Sequence, residues 1–175
     1  ALIPGLVRPI IRGQADYTKG NRFFGLNYLS SMPAIRVFGN AVLSFVNKAS
    51  SGYWSIMDPT NGFTAIHLKT LRYLPLERIS HRYFFESDML FRLGLIRACV
   101  KDVPMQAVYA GETSNLKISK VLLEFPLRYL ISFLKRIFYR YFLRDFGIGS
   151  LQLLAAVPLI TFGIGYGAIR WLHAI

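Results

Sequence analysis

One long segment of the chain, residues 146–169, contains no charged side chain. About twenty apolar residues are enough for a helix to cross the hydrocarbon core of a membrane. Pro158 and the glycines of this segment are tolerated in lipid, although they would destabilise a helix in water. The pattern therefore predicts a transmembrane helix over residues 146–170. A buried helix of a large soluble protein is the alternative.

Residues 121–145, immediately before that segment, have the pattern of an amphipathic helix. Aromatic and aliphatic side chains are interleaved there with cations, namely Arg128, Lys135, Arg136, Arg140 and Arg144. The spacing places most of these cations on one broad face of a helix. We expect this juxtamembrane helix to lie at the membrane interface, on the cytoplasmic side. A basic face that is merely solvated is the alternative.

The first 120 residues mix helical and extended patterns. Helical spacing of apolar residues predicts helices at 2–11, 36–48 and 86–96, the first interrupted by prolines. Strands are expected at 15–19, 64–68 and 103–109, with a turn at 58–62. This mixture predicts an α/β domain over residues 1–120.

Composition narrows the class of partner. The chain has 21 Lys and Arg against 9 Asp and Glu, a net charge of +12, yet 53% of its residues are hydrophobic. A chain that is both basic and apolar suits an anionic lipid surface, and we expect no nucleic-acid partner. The single cysteine, Cys99, excludes an intrachain disulfide, and we expect it to be buried in the core.

Two arginines could form an anion site. Arg22 follows a predicted strand and a Gly-containing turn, and Arg36 opens the next predicted helix, just before Gly39 and Asn40. Two guanidinium groups brought together can hold a phosphate bidentately. Ordinary surface charges are the alternative.

The string Asp-Pro-Thr-Asn-Gly-Phe at 58–63 is either a tight turn or the floor of a pocket. Asp and Asn accept hydrogen bonds from nearby backbone N–H groups, and Gly tolerates positive φ, which favours a turn. In the functional interpretation, the Asp58 carboxylate and the Asn61 amide contact a sugar or an acceptor.

Glu86 and Asp88 lie at the start of a predicted helix. Carboxylates there interact favourably with the helix dipole, and they need have no other role. Alternatively, Asp88 faces a cleft and acts as a general base or holds the acceptor, while Glu86 points elsewhere. The histidines lie at unrelated spacings and predict no metal site.

Taken in order, five strings resemble the second half of family 2 glycosyltransferases, most closely the polyprenyl- or dolichyl-phosphate sugar synthases. They are Ala-Asp-Tyr-Thr-Lys-Gly-Asn-Arg-Phe at 15–23, Arg36 with Gly-Asn at 39–40, Asp-Pro-Thr-Asn-Gly-Phe at 58–63, Phe-Phe-Glu-Ser-Asp-Met at 84–89 and Asp-Val-Pro-Met at 102–105. The resemblance covers residues 1–120, and the helices after them are similar to that group's membrane anchor.

The resemblance implies roles for the arginines and for Asn40. Arg22 and Arg36 match the cations that hold the acceptor phosphate and the charge of the transferred group. Asn40 stands where relatives often have Ser, and it joins this phosphate-binding set.

It also implies roles for the acidic residues. Asp58 matches the acidic residue of the family's Asp-x-x-Ser-Gly-Phe motif, in which Asn61 replaces the Ser here. Asp88 matches the base of members whose acceptor is a hydroxyl. We assign Asp58, Asn61 and Glu86 to the substrate pocket and Asp88 to catalysis.

The fold implied is GT-A, of which this chain would be the acceptor half. The family's nucleotide-binding half carries an Asp-x-Asp motif for Mg²⁺ or Mn²⁺, which we expect upstream of residue 1. This chain alone is then expected to be inactive and to bind no metal ion.

The expected parent enzyme is a membrane-bound inverting glycosyltransferase that uses a nucleotide-sugar donor and polyprenyl phosphate. Its catalytic domain would face the cytoplasm, in contact with membrane lipid, and its membrane helices could pair two copies. A family 2 transferase with a hydroxyl or saccharide acceptor is one alternative. A noncatalytic membrane adaptor is another.

Overall fold

The computed structural model describes residues 2–23, 34–105 and 118–174, and at 34–37, 82, 118–123 and 174 it describes the backbone alone. The helices are α1 (Leu2–Ile11), α2 (Ala34–Ser51), α3 (Leu68–Arg72), α4 (Phe85–Leu95), α5 (Ile118–Phe138) and α6 (Ile148–Ala174). Short 3₁₀ turns span Leu76–Arg78 and Arg82–Phe84, and a π-helical segment spans Tyr139–Arg144. The strands are β1 (Tyr17–Asn21), β2 (Thr64–Ile66) and β3 (Val100–Pro104).

The strands form a three-stranded sheet in the order β2-β1-β3. The central strand β1 pairs antiparallel with β2 and parallel with β3. Every residue of β1 is buried. Lys19 lies at its middle, opposite Thr64 on one side and Asp102 on the other. The fold is therefore a mixed α/β fold, mostly helical, with a small sheet.

The core lies between the sheet and helix α4. Leu90 and Leu93 are fully buried there against Tyr17 and Val100. Helix α2 packs closely on α4, because a Cβ at Gly94 would lie 2.2 Å from the backbone oxygen of Ser51.

Helix α1 is tied to the sheet by a hydrogen bond from the buried Thr18 hydroxyl to the Leu6 carbonyl, at 2.8 Å. It runs unbroken over the predicted range, so the predicted interruption was wrong. Pro4 lies in the first turn, where a backbone N–H has no partner within the helix.

The chain divides into two compact units, Ala1–Arg136 and Ile137–Ile175. In the second unit, Ser150 is buried and its hydroxyl donates to the Tyr141 carbonyl. Within the described part of the chain, the segment Ile148–His173 of α6 is the one helix long and apolar enough to cross a membrane, by length and composition. The domain boundaries drawn from the sequence stay predictions.

Helices α2 and α4 confirm the sequence predictions, whereas the strands are displaced. The first strand starts at Tyr17, because the Asp16 carboxylate accepts a hydrogen bond from the Cys99 N–H at 2.7 Å and turns the chain into the sheet. The second ends at Ile66, because His67 caps α3. The third spans Val100–Pro104, and residues 106–109 lie outside the described range. Cys99 is exposed, so its predicted place in the core was wrong.

Candidate functional site

The site lies at the end of β1, where the turn at 58–62 approaches the sheet. Arg22 follows β1 and is held by Asp58. Its Nε donates to Asp58 Oδ2 at 2.7 Å, its Nη2 donates to Oδ1 at 2.9 Å, and its backbone N–H donates to Oδ2 at 3.2 Å. The Asp58 side chain is 1% exposed and that of Arg22 is 29% exposed. This bidentate pair fixes a partly exposed guanidinium in one orientation.

Asn61 organises the turn from within. Its N–H donates to the Asp58 carbonyl at 3.4 Å, and its Oδ1 accepts from the Phe63 N–H at 3.0 Å. Gly20 on β1 lies against it, since a Cβ there would be 3.0 Å from Asn61 Nδ2 and 2.5 Å from Met105 Sδ. The two interpretations of residues 58–63, a tight turn and a functional site, are thus compatible. The turn itself places Asp58 next to Arg22.

Lys19 is a buried cation that the sequence analysis did not select. It is 0% exposed, and its Nζ donates to the Asn61 carbonyl at 2.5 Å. Burial lowers its pKa to about 8, although the nearby charges of Glu86, Asp58 and Asp102 act in the opposite direction. The period of two along a strand was the available signal, because it puts Lys19 on the same face as Tyr17.

Asp102 on β3 belongs to the last string of the family resemblance, but no site role was predicted for it. Its Oδ2 accepts from Asn21 Nδ2 and from the Met57 N–H, both at 2.9 Å. Burial raises the pKa of this carboxyl group. Asp102 therefore ties the end of β1 to the segment that leads into the turn.

Glu86 and Asp88 point in opposite directions on α4. A Cβ on Gly62 would lie 3.7 Å from Glu86 Oε1, so the Glu86 carboxylate faces the turn. Asp88 is buried, and its Oδ2 accepts from the Ser80 N–H at 2.7 Å and from Arg92 Nε at 3.1 Å. These contacts do not match the alternative in which Asp88 faces the cleft and Glu86 points elsewhere. The assignment of Glu86 to the substrate pocket stays a prediction. The catalytic role of Asp88 stays a prediction.

An apolar pocket of about 320 Å³ is lined by Phe23, the residue after Arg22. The Cζ of Arg22 is 5.8 Å from the centroid of the Phe23 ring, so the guanidinium lies close to this wall of the pocket. The other lining residues belong to α2 and the segment after it: Asn40, Ala41, Ser44, Phe45, Lys48, Trp54 and Met57. Asn40 is therefore near the site. Arg36 lies one helical turn before Asn40 in α2, but its side chain is outside the described residues.

A wider, almost wholly apolar groove of about 700 Å³ runs between α2 and α5. Phe45 lines both this groove and the pocket. The remaining walls are formed by Phe38, Val42, Val46, Leu130 and Phe133, among others. A long apolar chain could therefore leave the pocket along α2.

Comparison with known proteins adds a relative of known activity. Over 133 residues the chain is 26% identical to the UDP-N-acetylglucosamine–dolichyl-phosphate N-acetylglucosaminyltransferase of Methanococcus voltae. The match covers 76% of this chain and 52% of that protein, so the chain spans about half the length of its curated relative. No protein-family model and no solved structure gives a significant match. The resemblance predicted from the sequence is confirmed by this relative: the chain is similar to a dolichyl-phosphate sugar transferase.

Proposed function

We propose that the chain is part of a membrane-bound, inverting glycosyltransferase of family 2 that moves a sugar from a nucleotide-sugar donor to polyprenyl phosphate. The observation that carries the proposal is the guanidinium of Arg22, which Asp58 fixes beside an apolar pocket. A phosphate monoester on an isoprenoid chain needs both features, a cation and an apolar wall. The likeness to a dolichyl-phosphate sugar transferase supports the same substrate class.

In this proposal Arg22 binds the acceptor phosphate, with Arg36 and Asn40 of α2 completing the site. The phosphate oxygen is the nucleophile, and the guanidinium holds it in line with the sugar carbon as the nucleoside diphosphate leaves. The rate gain from this chain comes from positioning and from electrostatic stabilisation. Glu86, Asn61 and Asp58 belong to the substrate pocket in this proposal, through the turn at 58–62 that the Glu86 carboxylate faces.

The environment of Asp88 favours a phosphate acceptor over a hydroxyl acceptor. A sugar hydroxyl needs a base to take its proton, whereas a phosphate monoester is already ionised at neutral pH. Asp88 is 5% exposed, and its Oδ2 accepts from the Ser80 N–H and from Arg92. A carboxylate held in this way is poorly placed to take a proton from a substrate.

Mg²⁺ or Mn²⁺ belongs to the proposal only through the family resemblance, and would neutralise the leaving diphosphate. Within residues 2–23, 34–105 and 118–174, no group of three or more His, Cys, Asp or Glu could hold a metal ion. The acidic side chains of the site do not fit that role, because Asp58 and Asp102 are both hydrogen-bonded within the protein.

The proposed location is the membrane, with the site on its cytoplasmic face. One helix, Ile148–His173, is long and apolar enough to span the bilayer. The cations that precede it favour the cytoplasmic side. The proposal includes pairing of two copies of the chain through such helices. It also includes contact between these helices and membrane lipid.

The test compares three variants of the full-length protein by kcat/KM with polyprenyl phosphate as acceptor. Arg22→Ala and Arg36→Ala should each lose about 2–4 kcal/mol of transition-state stabilisation, the scale of a lost charge-assisted contact in a shielded site. Asp88→Asn should lose much less, because the phosphate needs no base.

The reverse order would contradict the proposal. A loss of about 10²–10⁴-fold at Asp88→Asn, with nearly silent arginine variants, would indicate a hydroxyl acceptor and a general base. A full-length protein that transfers no sugar to either acceptor would favour the noncatalytic adaptor. Lys135→Ala, a cation of α5 far along the sequence from the site, is the control for general loss of positive charge.

A further inference from the structure

Lys19 is placed where a cation is costly, in the middle of the central strand and with no exposed surface. Tyr17 and Thr18, on the same strand, are also buried, but neither carries a charge. Within the described part of the chain, the ammonium donates to the backbone carbonyl of Asn61 at 2.5 Å. Burial of a charge is unfavourable unless a specific interaction compensates for it. The contact between Lys19 and the turn therefore indicates a structural role for Lys19.

We propose that Lys19 is a positioning residue that holds the turn at 58–62 and, through it, the Asp58 carboxylate that orients Arg22. The inference rests on the proposed function for its effect on the acceptor phosphate. In this role Lys19 needs no contact with the substrate.

The connection runs through three consecutive contacts. Lys19 Nζ binds the Asn61 carbonyl, and the Asn61 N–H donates to the Asp58 carbonyl at 3.4 Å. The Asp58 carboxylate then holds both Nε and Nη2 of Arg22. If the turn shifts, Asp58 shifts with it, and a displacement of about 1 Å at a positioned group is enough to impair a reaction.

Charge gives Lys19 a second effect on the same residue. Asp102 pairs with Lys19 across the strands, and the negative charges of Asp58, Asp102 and Glu86 all act on the Lys19 ammonium. Arg22 also pairs with Asp58. Without Lys19, the negative charge of these carboxylates would be less balanced near Arg22, and like charges near a site weaken anion binding.

Binding of farnesyl phosphate to the full-length protein in detergent tests the inference without a donor sugar. Lys19→Met should weaken binding roughly tenfold, the scale of one charge-assisted hydrogen bond. Lys19→Gln, which keeps a donor for the Asn61 carbonyl, should lose less. Thr18→Val is the matched control, because Thr18 is buried on the same strand but bonds to α1.

The decisive measurement is the double variant. If Lys19 acts through Arg22, Lys19→Met combined with Arg22→Ala should bind no more weakly than Arg22→Ala alone. If the two losses multiply, Lys19 acts independently and the inference is overturned. Should Lys19→Met not fold, Lys19→Gln takes its place in this cycle.

A ligand-free readout separates this inference from the proposed function. The rate at which phenylglyoxal modifies Arg22, followed by peptide mass spectrometry, should rise several-fold in Lys19→Met and stay unchanged in Thr18→Val. An unchanged rate in Lys19→Met overturns the positioning role. Wild-type protein that binds no farnesyl phosphate overturns the proposed function, while the modification rates still decide the role of Lys19.

Discussion

Replacing Lys19 by Met should change how the stability of the protein depends on pH. Burial lowers the pKa of Lys19 from its ordinary value of 10.5 to about 8 in the folded protein. Between these two values the unfolded chain binds a proton that the folded protein does not. The free energy of unfolding therefore rises as the pH increases from about 8 to 10.5. As the pH falls back through this range to the folded pKa of about 8, the gain is lost.

The size of the effect follows from the two pKa values. Below pH 8 both states carry the ammonium, and the folded state bears the full cost of burying it. The stability of the wild type relative to Lys19→Met should rise by about 2.5 kcal/mol between pH 7 and pH 10. For a chain of this size, that corresponds to a relative change of roughly 5–10 °C in Tm.

Thermal unfolding of both proteins in detergent, at several pH values from 7 to 10, measures this difference directly. Lys101→Met is the matched control, because Lys101 lies on β3 of the same sheet but is exposed. Its difference from the wild type should stay nearly flat. A flat difference for Lys19→Met as well would show that Lys19 stays charged in the fold, and it would refute the reasoning from burial.

Two further substitutions test the packing of the helices that surround the site. Tyr129→Phe should cost about 1–3 kcal/mol of unfolding free energy, because the buried Ser87 hydroxyl loses a partner at 2.7 Å; an unchanged Tm in detergent would count against this contact. Gly94→Ala should destabilise by about 1–3 kcal/mol or more, since its Cβ would strike the Ser51 carbonyl. Gly39→Ala, whose new Cβ would have no described atom within 4 Å, should stabilise by up to about 1 kcal/mol. Equal Tm values for these two variants would contradict the close approach of α2 and α4.

The helices could be predicted from the sequence because their signals are local. The apolar spacing of α2 and α4 repeats over several turns, and both helices lie within a few residues of the predicted ranges. The strands could not be bounded as well, because their ends depend on partners far along the chain. β1 extends to Asn21 because Asn21 pairs with Pro104 of β3, a contact that local sequence does not indicate.

The candidate site residues that could be predicted are those that lie in or next to a turn with recognisable Gly, Pro, Asp or Asn residues. Arg22 and Asp58 were selected from their turn residues, and the structure brings them together. Lys19 was overlooked because a lysine in a strand is normally exposed. The pairing on both sides makes β1 the central strand, and every residue of that strand is buried.

The carboxylates of α4 show where sequence reasoning reaches its limit. Residues two apart on a helix differ by roughly 200° in direction, so Glu86 and Asp88 could not both face the site. The sequence gives no means of choosing between them, because the choice depends on which side of α4 packs against the sheet. Leu90 and Leu93 fill the core and fix that rotation. It turns Glu86 toward the turn at Gly62 and Asp88 toward Ser80 and Arg92, and this orientation is the reason that we propose an ionised phosphate, and not a hydroxyl, as the acceptor.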